Sequence, residues 1–585
     1  MKKIWLFSAL IALLLAGCTA QPSPTSAPAP SATPTPISPA AEPTPVPPTA
    51  EPTPIPPAAE ATKPAGRPGL PLPVERGELF STSGTCAACH TNMIDEGGND
   101  VSTDDSWRAS MMANASRDPY WQASVRGEVI SNPDYQSVIE DKCATCHTPM
   151  AHFTAVNAGQ EGKLFGGGFL NRAHELHTLA LDSVSCNLCH QIRKVGFGEP
   201  STFSGGFVID TELPAGERLA YGPYPVGKGL ARIMQAASGF IPVQGLHIEQ
   251  SELCATCHTL YTPYLDATGQ IAGTFPEQTP YLEWVESDYM DTHSCQDCHM
   301  PLAQGRVRLS TTGGPPRSPF FQHTFVGGNA YMLGILNTFG QELQVNASAE
   351  QFAEKGTRVA EQLQNHTATL AIPEASLSGP ELAVSVTVES QVGHKFPAGF
   401  PARRTWLRLT VQDAGGQKVF ESGAVNADGS IVGNDNDTDP AASEPHYLQI
   451  NQPDQVQIYE AIMHNAEGGV TTILLRSARY AKDNRLLPSG FDKRTADDDI
   501  AVHGRAADDE NFVGGGDRVE FRVDVGDAKG PFTVTVQLLY QSISYRWADN
   551  LRRYDSPETA RFIGYYETIP NLPLVVANAT VEVGN

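Results

Sequence analysis

The chain has 585 residues, with 65 acidic against 40 basic side chains and a formal net charge of −25 at pH 7. So acidic a surface disfavours nucleic acid and anionic lipid as partners and favours basic proteins or metal cations. Nearly 600 residues are too many for one ordinary domain.

The N-terminus reads "MKKIWLFSALIALLLAGC": Lys2 and Lys3, an apolar run from Ile4 to Leu15, then small residues before Cys18. This order of charge, apolar stretch and small residues predicts a secretory signal. The run is too short for a spanning helix, and no later run is long enough. "LAGC" resembles a bacterial lipobox, which implies that residues 1–18 are a lipoprotein signal peptide and that Cys18 is lipidated. The simpler alternative is a cleaved signal whose cysteine is incidental. Either way the mature chain is expected outside the cytoplasm; with the lipid it is anchored to a membrane, in the periplasm or at the cell surface.

Residues 21–74 hold 19 of the 46 prolines, and "AEPTPVPPT" at 41 is followed by the near-copy "AEPTPIPP" at 50. Such a segment cannot pack a core, so residues 19–75 are expected to be a disordered, extended tether of polyproline character.

From 76 to 345 the cysteines set the pattern. Ten of the eleven fall in five copies of C-x-x-C-H: Cys86 and Cys89, Cys143 and Cys146, Cys186 and Cys189, Cys254 and Cys257, Cys295 and Cys298. The chemistry that needs this spacing is covalent haem attachment. Two thiols add to the two vinyl groups, and the next histidine, here His90, His147, His190, His258 or His299, turns under the ring to bind iron. Zinc sites would need four ligands each and no fixed histidine after each pair. Disulfides would be indifferent to the histidine. Five haem c in some 270 residues would supply much of the apolar core, so this region is expected to be short helices and loops.

What fills the second axial position separates a carrier from a catalyst. The region offers six more histidines: His152, His174, His177, His247, His293 and His323. His366 and His394 follow shortly after it. Supply exceeds the five positions to be filled, which favours saturated, electron-carrying haems.

Several stretches resemble the exported multihaem c-type cytochromes, the superfamily of the nitrifier tetrahaem cytochrome c and the octahaem reductases. They are "HTLALDSVSCNLCHQI" at 177, "LHIEQSELCATCHTL" at 246, "TPYLEWVESDYMDTHSCQDCHMP" at 279 and "HTFVGGN" at 323. The resemblance covers most of residues 80–330. It implies distal ligands at His177, His247, His293 and His323, with His152 and His174 as further candidates. After the first motif, relatives often carry Ser-Met-His-Ala, whereas this chain has "SMMA", with Met112 at the histidine position. A thioether there would raise that haem's potential; packing of Met111 and Met112 against the ring is the plainer alternative. "VGHKFPAGFPARRTWLRL" at 392 also resembles a segment of these cytochromes, implying His394 as a ligand. Arg403 and Arg404 are candidates to neutralise propionates.

Ser348 and Gln351 have the spacing of a capping box, so residues 346–368 are read as a connecting helix. Beyond it the apolar period becomes two: Leu382, Val384, Val386 and Val388; Val519, Phe521, Val523 and Val525; Phe532, Val534, Val536 and Leu538. A last strand is expected at "LVVANATVEV". This pattern predicts an all-β, immunoglobulin-like sandwich over 369–585, and an α+β, multidomain chain as a whole. "GNDNDTDP" at 433 has calcium-friendly oxygens but an incomplete ligand pattern.

The expected function is electron transfer along five haems between redox partners, extracellular acceptors included, rather than catalysis. The alternative is a reductase or oxidase of nitrogen or sulfur oxyanions with one open haem. A third reading is a surface binding module in which the sandwich recognises a partner. Self-association of copies is left open.

Overall fold

Alternation of apolar and polar residues dictates the C-terminal half. The structure, a computed structural model, describes residues 66–584. The signal peptide, Cys18 and the tether up to residue 65 lie outside the described residues. In β6 (Glu381–Ser390), Leu382, Val384, Val386 and Val388 are fully buried. They sit in antiparallel register with β13 (Gly516–Asp524), Val384 opposite Phe521 and Val386 opposite Val519. Side chains that alternate with period two turn one face of each strand to the same core.

Two sheets result. One has four strands in the order β5 (Ala368–Ser378), β6, β13, β9 (Gln449–Ile450). The other has seven. Its path is β11 (Val470–Thr471), β10 (Ile458–His464), β7 (Arg404–Gln412), β14 (Phe532–Gln541) and β15 (Leu574–Val583). β12 (Arg479–Asp483) joins β10, and β8 (Lys418–Ser422) joins β7.

The helix Ala349–Asn365 begins as its sequence predicts. Ser348 Oγ accepts from the Gln351 amide at 3.2 Å, and Gln351 Oε1 accepts from the Ser348 amide at 2.8 Å. Its buried Phe352, Val359 and Leu363 join the same core as both sheets and the helix Ala330–Thr338. The segment is therefore built into the core that the two sheets share rather than strung beside it. Residues at the expected end of the tether also dock: Arg67 donates to the Ala347 carbonyl at 2.8 Å, and its guanidinium lies over Phe352.

The cysteine-bearing half is built differently. Its buried apolar side chains form several small clusters among the described residues, for example Leu79, Phe80, Met150, Leu188 and Ile192 in one and Met93, Val101, Val307 and Phe320 in another. Short helices and loops dominate, with a parallel strand pair, β1 (Arg218–Gly222) with β2 (Phe240–Gln244), and a hairpin, β3 (Leu260–Leu265) with β4 (Ile271–Gln278). The molecule is α+β. No helix of the described residues is long and apolar enough to cross a membrane.

Candidate functional site

Each C-x-x-C-H motif lies on or just past a short helix: Ser83–Ala87, Gln136–His147, Cys186–Cys189, Ser251–His258 and Cys295–His299. Helical spacing brings residues three and four apart onto one face, which groups the two thiols with the histidine. The first motif departs from this, because its helix stops at Ala87, short of the second thiol. Cys89 lies instead in the turn that follows. Its amide donates to the Cys86 carbonyl at 3.1 Å, as does that of His90, and its own carbonyl accepts from the Thr311 amide at 2.9 Å. Two bonds onto one carbonyl wind this turn tightly enough to keep Cys89 with Cys86 and His90. The last helix starts with a reciprocal capping box between Ser294 and Asp297. None of the ten motif cysteines is in a disulfide.

Four of the five motif histidines are held the same way. Nδ1 of His90 meets the Leu309 carbonyl at 2.6 Å, that of His147 the Ala115 carbonyl at 3.0 Å, that of His190 the Tyr221 carbonyl at 2.5 Å and that of His299 the Val326 carbonyl at 2.6 Å. A carbonyl only accepts, so Nδ1 must carry the proton and Nε2 keeps its lone pair for a metal. Burial pushes the His147 imidazole down to about 4, so it stays neutral near pH 7.

Two of these rings face a second histidine. The His190 and His323 ring centres are 6.3 Å apart with planes 17° from parallel; those of His299 and His394 are 6.2 Å apart and 9° from parallel. An imidazole nitrogen binds a first-row metal at about 2 Å, and the ring centre lies about another ångström behind it, so two rings across one metal sit roughly 6 Å apart. Both pairs fit one iron between them. Burial pushes His323 down to about 3, and its buried Nδ1 has no hydrogen-bond partner among the described residues. The ten unpaired thiols, the free Nε2 atoms and the ring spacing all fit haem c.

The other candidates are placed as follows. His177 Nδ1 donates to the Phe169 carbonyl at 2.9 Å, which leaves its Nε2 free as in the motif histidines. His247 is buried with Nε2 on the Ile192 carbonyl at 2.9 Å, edge-on to Tyr221 and Phe197. His293 is exposed, with Nδ1 3.0 Å from Thr292 Oγ1. His152 turns Nε2 to Asp141 Oδ1 at 2.9 Å, and His174 Nδ1 accepts from the Leu176 amide at 3.1 Å. The Met112 carbonyl accepts from Val184, two residues before the third motif, while Met111 packs against the large shared core.

The motifs also adjoin one another. The Cys86 thiol lies beside that of Cys186, Cys146 beside Cys257, and Cys254 beside Cys295, which is pulled down to about 7 by its neighbour. The first motif thus neighbours the third, and the fourth neighbours both the second and the fifth.

Two other polar groups prove to be structural. Arg404 is fully buried and grips both oxygens of Asp437, at 2.8 and 2.9 Å, so the one buried carboxylate of "GNDNDTDP" is already neutralised. Buried His446, Asp509 and Asp517 are close enough to hold a metal. However, Asn484 is oriented by the Glu460 amide and the Ile458 carbonyl, so its amide nitrogen donates to His446 Nδ1 at 3.0 Å. Nε2 must then carry the proton that it gives to Asp509 at 3.0 Å, which leaves no lone pair for a metal.

Sequence reasoning missed the backbone carbonyls of Leu309, Ala115, Tyr221, Val326 and Phe169 that fix the rings. A carbonyl has no side-chain signature, and only the folded chain brings it to the histidine. It also missed Glu283 on the helix Pro280–Val285, which is fully buried and accepts from the Lys395 amide next to His394.

No family model matches the chain, and no curated protein matches it. A solved structure that it resembles is a penta-heme cytochrome c552 from Thermochromatium tepidum, with 14% sequence identity and a TM-score of 0.47 over 86% of this chain and 99% of that one. The similarity is too loose to carry an inference from that protein to this one.

Proposed function

We propose that the chain is an extracytoplasmic pentahaem cytochrome c that passes electrons along five covalently held haems. The observation that carries this reading is the pair of near-parallel histidine rings, His190 with His323 and His299 with His394, each spaced for one iron and each including a motif histidine. Haem c supplies a one-electron couple when bound. The ten motif cysteines attach it, and His90, His147, His190, His258 and His299 take the proximal positions. His323 and His394 close two irons from the far side, and His177, with Nε2 free, closes a third. Ligation from both faces at these three irons favours transfer over substrate chemistry.

The adjoining thiols support short hops between the first and third groups, the second and fourth, and the fourth and fifth. Lipid on Cys18 and the proline-rich tether would hold this assembly away from the membrane, and the net charge of −25 suits basic redox partners.

A pyridine haemochrome assay on the purified protein, set against its protein content, tests the reading. Five haems per chain are expected, and electron paramagnetic resonance should show low-spin signals from near-parallel bis-histidine irons. Fewer than five would overturn the pentahaem reading, and a high-spin signal that shifts with nitrite or hydroxylamine would favour the reductase alternative.

A further inference from the structure

We infer that Glu283 is the positioning residue that sets His394 opposite His299; the inference rests on reading these two histidines as axial ligands of one iron. The two belong to segments far apart in the chain. His299 ends a cysteine-bearing helix, whereas His394 lies on the connection between β6 and β7. Something must fix that connection relative to the helix, and Glu283 reaches across to do so.

Both oxygens of the Glu283 carboxylate are engaged. Oε2 accepts from the Lys395 amide at 3.0 Å, while Oε1 receives Arg485 at 2.9 Å and Thr279 Oγ1 at 3.3 Å. The far end of Lys395 is held as well: Nζ lies 2.7 Å from Asp483 Oδ2 and donates to the Ala501 carbonyl at 3.1 Å. Arg485 returns to Asp483 with two bonds of 2.8 Å. The next residue, Phe396, exchanges backbone bonds of 2.8 Å with Leu486 in both directions. His394 orients its ring on Lys395 itself, since Nδ1 donates to the Lys395 carbonyl at 3.0 Å. The plane of the His394 ring is therefore referred, through the backbone of Lys395, to the Glu283 carboxylate.

The charges balance: Glu283 and Asp483 against Lys395 and Arg485, all buried. Removing one carboxylate would leave a buried positive charge without a partner, so the set acts as a unit. The same helix also touches the cysteine side. Trp284 Nε1 donates to the His293 carbonyl at 2.9 Å, and a Cβ at Gly393 would come within 2.9 Å of Tyr289 and 3.1 Å of Trp284. One turn of helix thus grips both the approach to the fifth motif and the residue before His394.

The test compares Glu283→Gln, Glu283→Asp and His394→Ala in the full haem-loaded protein, using electron paramagnetic resonance, redox titration and thermal unfolding. His394→Ala should turn one haem high-spin. Glu283→Gln should keep that haem low-spin and the unfolding cooperative, but change the g spread of its near-parallel signal and move its midpoint potential upward, because a buried negative charge is gone. Glu283→Asp, which restores charge but falls short by one methylene, should return the potential toward the wild type while the g spread stays altered. If His394→Ala leaves every haem low-spin, the ligand reading fails. If His394→Ala acts but Glu283→Gln leaves both signal and potential unchanged, the positioning inference fails. Should the glutamine variant not fold, an unaltered g spread in Glu283→Asp overturns it equally.

Discussion

Trp121 lies flat on His147, with ring centres 4.3 Å apart and planes within 3° of parallel. Together with the Ala115 carbonyl on Nδ1, the indole clamps the second motif histidine on a face and an edge. Trp121 is also buried among Val125, Val129, Ile139 and Leu475. Trp121→Ala should therefore destabilise the protein by about 3 kcal/mol or more, read as a lower guanidinium midpoint, while haem content per folded chain stays unchanged.

Replacing Cys295 and Cys298 together with serine should remove one covalent haem and leave four. Intact mass and haem-stained gels measure this directly. On the proposed reading the neighbouring Cys254 and Cys257 hold a separate haem, so no second loss is expected.

His323→Ala removes the ring facing His190. One low-spin signal should be replaced by a high-spin one that takes up azide or cyanide, since a small anion can reach the freed position. The signal from the His299 and His394 iron should persist.

Glu128 and Glu277 are buried carboxyls that desolvation pushes up to about 7, although the Leu474 and Leu475 amides pull Glu128 partly back. Their folded values lie above the ordinary 4.5, so between about 4.5 and 7 the folded chain holds protons that the unfolded chain has released. Their contribution is full below about 4.5 and is lost as pH rises through 7, by roughly 3 kcal/mol per group. Urea unfolding at pH 4.5 and 7.5 should show a smaller drop in Glu277→Gln than in the wild type.

Arg404→Met leaves Asp437 as a buried carboxylate without its partner and should cost about 3–5 kcal/mol. Arg404→Lys should recover only part of this, because an ammonium cannot grip both oxygens or reach Gln541 and the Gly429 carbonyl as the guanidinium does. Denaturant titration of both variants measures the difference.

The legible features were local ones. The spacing of each cysteine pair, the Ser348 and Gln351 cap and the two-residue alternation of β6, β13 and β14 are each written within a few neighbouring residues, where helix and strand geometry act directly. The partnership of His299 with His394 is of another kind. Both histidines were visible as candidates, but their pairing depends on where β6 and β7 lie against the fifth motif, and no short-range pattern encodes that. Arg404 offers the same lesson. In the sequence it looked available for a propionate, and only the fold brings Asp437 from the following loop to occupy it. Glu283 was invisible because a single glutamate in a short helix has no periodicity and no motif.

The shared core that joins the helices Ala330–Thr338 and Ala349–Asn365 to both sheets has a consequence for the order in which the protein is made. A chain synthesised from its N-terminus completes all five cysteine motifs before any strand of those two sheets exists. The His299 ring then waits for His394, and the supports of His394 at Asp483, Arg485 and Ala501 emerge later still. A product stopped short of these residues would carry every attachment point yet lack the ring that faces His299.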